Sequence, residues 1–232
     1  MANVRLRGFQ PLPPVIKNLI IINALVWLAE LTFNGPFVNA LSLHFHQNDD
    51  FGPWQLVSYM FLHDPASIFH LLFNMFSLWM FGSTLENLWG GKKFLLFYLI
   101  CGVGAGLIQM LSNVVEMNIL LSQLKEGKIG LEQFQIKGGM VLYSRALGAS
   151  GAVMGVLAAY AWLFPNNELF IIPIPFPIKV KYAVIGFVLI DLFGGVNPQY
   201  GSGVAHFAHL GGVLFGLILV ITMNRNNRRT FY

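Results

Sequence analysis

Six stretches of this 232-residue chain are apolar over about the length an α-helix needs to cross a bilayer: 16–34, 66–89, 92–112, 148–164, 178–196 and 203–223. Lipid offers backbone N–H and C=O groups no partner, so each stretch must satisfy its own and reads as a helix. The expectation is an all-α membrane protein, a six-helix bundle forming one domain over 16–223. Residues 1–15 form a short tail that Pro11, Pro13 and Pro14 keep out of the first helix. Residues 224–232 form a basic tail. With 56% hydrophobic and 10% charged residues, the chain is too apolar for an ordinary soluble domain.

Charge gives the orientation. Of the 14 Lys and Arg, ten flank helix ends on one side: Arg5, Arg7 and Lys17; Lys92 and Lys93; Lys179 and Lys181; and Arg225, Arg228 and Arg229. The positive-inside tendency makes that side, with both termini, cytoplasmic. Lys125, Lys128, Lys137 and Arg145 fall in an external insertion, 113–147, and an aromatic-rich external loop, 35–65, reads as interfacial. The net charge of +4 sits in short clusters at helix ends, which excludes a nucleic-acid partner and leaves membrane lipid. Cys101, the lone cysteine, can form no intramolecular disulfide.

Chemistry concentrates in three helices. Gly148-Ala149-Ser150-Gly151 opens the fourth span, His206-Phe207-Ala208-His209 opens the sixth, and His70 and Asn74 share a face of the second at i and i+4 spacing. All three spans run outside to inside, so these groups lie at similar depth. Gly151 and Gly155 form one small-residue ridge and Gly212 and Gly216 another; facing each other, they would bring Ser150 within reach of His209. A serine hydroxyl needs a base to take its proton, and histidine is the usual one near neutral pH. Ser150 is therefore the candidate nucleophile and His209 the candidate base. His70, Asn74 and the Ser150 backbone amide are candidate donors to the oxyanion. Glu86 reads as structural, and no metal or cofactor is expected.

These residues resemble the rhomboid intramembrane serine proteases over roughly 16–223. The resemblance rests on Gly148-Ala149-Ser150-Gly151, on Ala208-His209-Leu210-Gly211-Gly212 with Gly216, and on His70-xxx-Asn74. It implies a Ser150–His209 dyad rather than a triad, an oxyanion hole including His70 and Asn74, and cleavage of transmembrane protein substrates near their outer ends. Two positions depart from the family pattern. Trp54-Gln55 stands where a Trp-Arg pair is usual, and Met154 replaces an aromatic residue four after the serine. A bacterial plasma membrane is the expected location.

Two other readings exist. One is a catalytically inactive rhomboid-like protein that binds membrane clients, which has no need of both Ser150 and His209. The other is a metal or proton transporter lined by His63, His70, His206 and His209, with Asp191 as its carboxylate.

Overall fold

The computed structural model describes residues 12–170, 175–196 and 205–224. The tail 1–11, part of the turn before the fifth span, the external loop 197–204 and the basic tail 225–232 lie outside the described residues, and with them Arg5, Arg7, Arg225, Arg228 and Arg229.

Helix α1 (Pro14–Leu41) starts on a proline, whose fixed φ and missing N–H suit the first helical position. The next two amides find their acceptor 70 residues away: Val15 N–H and Ile16 N–H donate to Glu86 Oε1 and Oε2 at 2.9 and 2.8 Å. Glu86, buried near the inner end of the second span, thus caps the start of the first.

Strand β1 (Leu43–His44), helix α2 (Gln55–Ser58) and a 3₁₀ turn (Tyr59–Phe61) are the regular elements of the first loop. The second span is α3 (Ile68–Ser77), a π-helical turn (Leu78–Gly82) and α4 (Ser83–Trp89) in unbroken succession. Gly90 (φ 80°) turns the chain into α5 (Gly91–Lys125).

Helix α5 does not stop near residue 112. Its 35 residues run on through Val114, Val115, Met117 and Leu120, with no glycine or proline to break them after Gly106. At 1.5 Å per residue that is about 52 Å, well beyond a hydrocarbon core of about 30 Å. Helix α6 (Leu131–Leu142) folds back against the far part, where Phe45, Leu120 and Val141 form a small core of their own. The rest of the order is β2 (Arg145–Ala146), α7 (Ser150–Leu163), β3 (Glu168–Leu169), β4 (Ile178–Lys179), α8 (Val180–Val196) and α9 (His206–Asn224).

Among the described residues, four helical segments are long and apolar enough to cross a membrane: Pro14–Phe33, Ile68–Trp89, Gly91–Lys125 and His206–Asn224. The fourth and fifth expected spans correspond to the shorter helices α7, of 14 residues, and α8, of 17. Helix α7 is the centre of the bundle, buried along most of its length from Gly151 to Leu163.

Close approach is what places α7 against its neighbours. A Cβ on Gly212 would overlap the Gly151 carbonyl, and one on Gly216 would stand 2.6 Å from the Gly155 carbonyl oxygen. On the other side of α7, a Cβ on Gly155 would meet the Cys101 Sγ of α5 at 2.6 Å. Helices α7 and α9 are therefore in backbone contact along glycine ridges, with the Cys101 side chain of α5 packed against Gly155, a mode of association suited to lipid, where burial of apolar side chains gives little drive.

Candidate active site

Ser150 is the first residue of α7, and the chain reaches it under tight control. Strand β2 pairs antiparallel with β1, Leu43 opposite Ala146 and His44 opposite Arg145. Gly148 N–H then donates to the Tyr59 carbonyl at 2.9 Å. Gly148 has a φ of 130°, in the region that favours glycine, and a Cβ there would lie 3.1 Å from the His70 ring. Glycine before Ala149-Ser150 is thus required both by the turn and by the imidazole beside it.

Across the helix contact, Ser150 Oγ lies 2.8 Å from His209 Nε2. The other imidazole nitrogen, Nδ1, is 3.0 Å from Asp191 Oδ1 of α8, and His206 Nδ1 is 2.8 Å from the same oxygen. An ionised carboxylate has no proton to give, so both Nδ1 atoms donate. His209 is thereby held in the tautomer whose Nε2 carries a lone pair, and the Ser150 hydroxyl donates to it. A carboxylate stands where the expected pair of residues has none.

His70 approaches from α3. The Asp64 N–H donates to its Nδ1 at 3.4 Å, which leaves the proton on Nε2, the atom close to Gly148. His70, Ser150 and His209 line one cavity of about 640 Å³, together with Asp64, Gln109 and Arg145. Asn74 is placed differently. It is buried one turn along α3, its Nδ2 donates to the His70 carbonyl at 2.8 Å, and it is not part of the cavity wall. The Ser150 N–H belongs to the first turn of α7, where amides have no helical acceptor and the helix dipole favours negative charge.

A second layer fixes these groups. Glu30 of α1, fully buried, accepts the His63 N–H at 3.0 Å on both carboxylate oxygens and so anchors the loop that presents Asp64 to His70. The His63 ring is itself buried, packs edge-on against His70 with centroids 5.1 Å apart, and burial pushes its pKa down to about 4. Gln109 of α5 accepts the Ala208 N–H at 3.2 Å, capping the start of α9 one residue before His209. Asn113, one turn on, donates to Ser144 Oγ at 3.0 Å beside β2.

Both departures from the family pattern have a local account. Gln55 is fully buried; it accepts the His44 N–H at 3.2 Å and donates to the Asp50 carbonyl at 2.8 Å and the Ala40 carbonyl at 3.3 Å. A neutral amide thus fastens the first loop. Met154 is buried in the main core.

Sequence reasoning treated Asp191 as a transporter carboxylate, and gave Glu30 and Gln109 no role. The signal was present in the first two, since a carboxylate inside an apolar span is costly unless it faces a polar partner. Among the described residues, no three His, Cys, Asp or Glu side chains are grouped to hold a metal ion.

The chain is similar to several known proteins. The chain is 34% identical over 152 residues to the human mitochondrial presenilin-associated rhomboid-like protein, covering 65% of this chain and 33% of that protein. It is 26% identical over 217 residues to the rhomboid protease AarA of Providencia stuartii, covering 88% of this chain and 70% of that one. It is also 26% identical over 149 residues to the mitochondrial rhomboid protein 1 of Saccharomyces cerevisiae, covering 64% of this chain and 36% of that one. The match thus spans about a third of the length of the mitochondrial relatives. With several relatives mitochondrial, the expectation of a bacterial plasma membrane gains no support from them. The Rhomboid domain model matches residues 50–226, a stretch that holds Ser150, His209, His70 and the glycine ridges, and the chain belongs to the rhomboid family.

Proposed function

We propose that this integral membrane protein is an intramembrane serine endopeptidase that cleaves transmembrane protein substrates, with Ser150 as nucleophile and His209 as general base. One observation carries the reading: Ser150 Oγ lies 2.8 Å from His209 Nε2 at the wall of a half-polar cavity inside an apolar bundle. A client-binding protein gains nothing from that contact.

The chemistry follows from the atoms present. Ser150 Oγ attacks the scissile carbonyl carbon while its proton passes to His209 Nε2. The oxyanion so formed meets the Ser150 N–H and His70 Nε2–H, with Asn74 a turn further from the cavity. Collapse expels the amine, which takes the proton from His209, and leaves an acyl-enzyme. A water entering the cavity gives a proton to His209 and attacks the ester, releasing the acid and restoring Ser150.

Helix α7 spans about 21 Å, less than the hydrocarbon core, so if its inner end reaches the interface Ser150 lies below the outer one. That depth suits a peptide bond near the outer end of a substrate helix that unwinds locally. In the same reading, 16–223 is the protease unit with 35–65 and 113–147 as external additions, and the tails 1–15 and 224–232 are cytoplasmic. The test is cleavage of a model transmembrane substrate in proteoliposomes, with fluorophosphonate labelling in parallel. Ser150→Ala is expected to abolish both while the melting temperature stays unchanged; cleavage undiminished in that variant overturns the assignment.

A further inference from the structure

Asp191 is the least expected group in the bundle: a buried carboxylate on a helix otherwise apolar from Ala183 to Val196, accepting through one oxygen from two histidines of α9. His206 and His209 are three residues apart, so both rings leave α9 on the side facing α8. The room for His206 is made on α8 itself. A Cβ at Gly194 would lie 2.5 Å from the His206 ring, so glycine at this position, one turn beyond Asp191, lets the imidazole lie flat against the helix. Among the described residues, His206 Nε2 is buried without a hydrogen-bond partner, and the polar contact of the ring is the one from Nδ1 to Asp191. A solvated external-loop histidine would not be built this way.

We propose that Asp191 is a positioning residue for the proteolytic reaction, and that His206 moderates it by sharing the same carboxylate oxygen. The proposal rests on the reading of Ser150 and His209 given above. Asp191 accepts His209 Nδ1–H, which keeps the lone pair on Nε2 and stabilises the imidazolium formed when Ser150 gives up its proton. His206 donates to the same oxygen and withdraws part of its negative charge from His209. Removing the carboxylate therefore weakens the base, whereas removing His206 strengthens its hold on a proton. The other titratable groups around the cavity, His70 and Asp64 on the α3 side, His44 in β1 and Arg145 in β2, are unchanged in both cases.

The experiment is the pH dependence of kcat/KM for full-length native protein, Asp191→Asn, Asp191→Glu and His206→Ala, using one transmembrane substrate in proteoliposomes. Asp191→Asn is expected to lose cleavage by at least ~10²-fold, as loss of a tautomer-fixing carboxylate does in serine hydrolases, and its acid limb moves to lower pH. Asp191→Glu restores part of the rate. His206→Ala loses less than Asp191→Asn, and its acid limb moves to higher pH. Opposite movements support the shared carboxylate; limbs that stay put, or move together, overturn it. Should Asp191→Asn unfold, the His206→Ala limb decides alone, upward in support and unmoved against. Ser150→Ala run alongside separates the two levels, because cleavage surviving there defeats the protease reading itself, whatever Asp191 does.

Discussion

At the scale of single residues, the site is set by which nitrogen of each histidine holds its proton. Asp64 fixes His70 with its Nε2–H toward Gly148, and Asp191 fixes His209 with its Nε2 lone pair toward Ser150. The two rings are thus prepared for opposite tasks, donor and acceptor. His70→Ala is expected to lower kcat by ~10²-fold or more with little change in KM, the pattern of an interaction made in the transition state. Asn74→Ala, with its amide already committed to the His70 carbonyl, should cost under ~10-fold by the same assay. His63 bears on stability. Its pKa falls from 6.5 to about 4 in the fold, so between those values the unfolded chain binds a proton that the folded chain refuses. The stability its neutrality preserves is complete above about 6.5 and is lost as pH falls toward 4. Thermal melting in detergent should therefore drop more steeply over that window for native protein than for His63→Asn. The pairing of Ser150 with His209 was legible in the sequence, because serine and histidine stand out against lipid-facing side chains. Their partners were less so: the role of Asp191 depends on the rotation of α8 about its axis, and Gln55 could not be seen to replace an arginine until its three bonds were visible.

At the scale of elements, helix ends and helix ridges are the fixed points. Glu86 closes the start of α1 from 70 residues away, and Glu86→Ala would leave two amides unpaired and nearly buried at a cost of about 2–4 kcal/mol. A lower melting temperature with the fluorophosphonate labelling rate kept at low temperature is the expected result. Gly212 is less forgiving. A side chain there meets backbone rather than a movable neighbour, so Gly212→Val should part α7 from α9 and abolish cleavage together with much of the thermal stability. Small residues recurring at four-residue spacing announced this contact in the sequence. The length of α5 was not announced, since apolar periodicity tells a helix from a strand but does not say where a helix leaves the membrane.

At the scale of the whole molecule, the bundle is built inward: α7 is enclosed, while α1, α3 and α8 expose leucine, isoleucine and phenylalanine side chains around it. That outward apolar surface is what a bilayer covers. If six helices cross, both termini lie on one face, and reporter fusions at residue 1 and residue 232 should read out the same side. The enclosure of α7 has one more consequence. Cys101, the only thiol in the chain, is buried beneath Gly155 where α5 meets α7. A maleimide cannot reach it while those helices stay together, and every native surface is silent toward the reagent. The rate at which unmodified protein takes up a thiol label is therefore a clock for the parting of its two central helices, readable in a living membrane without a single mutation.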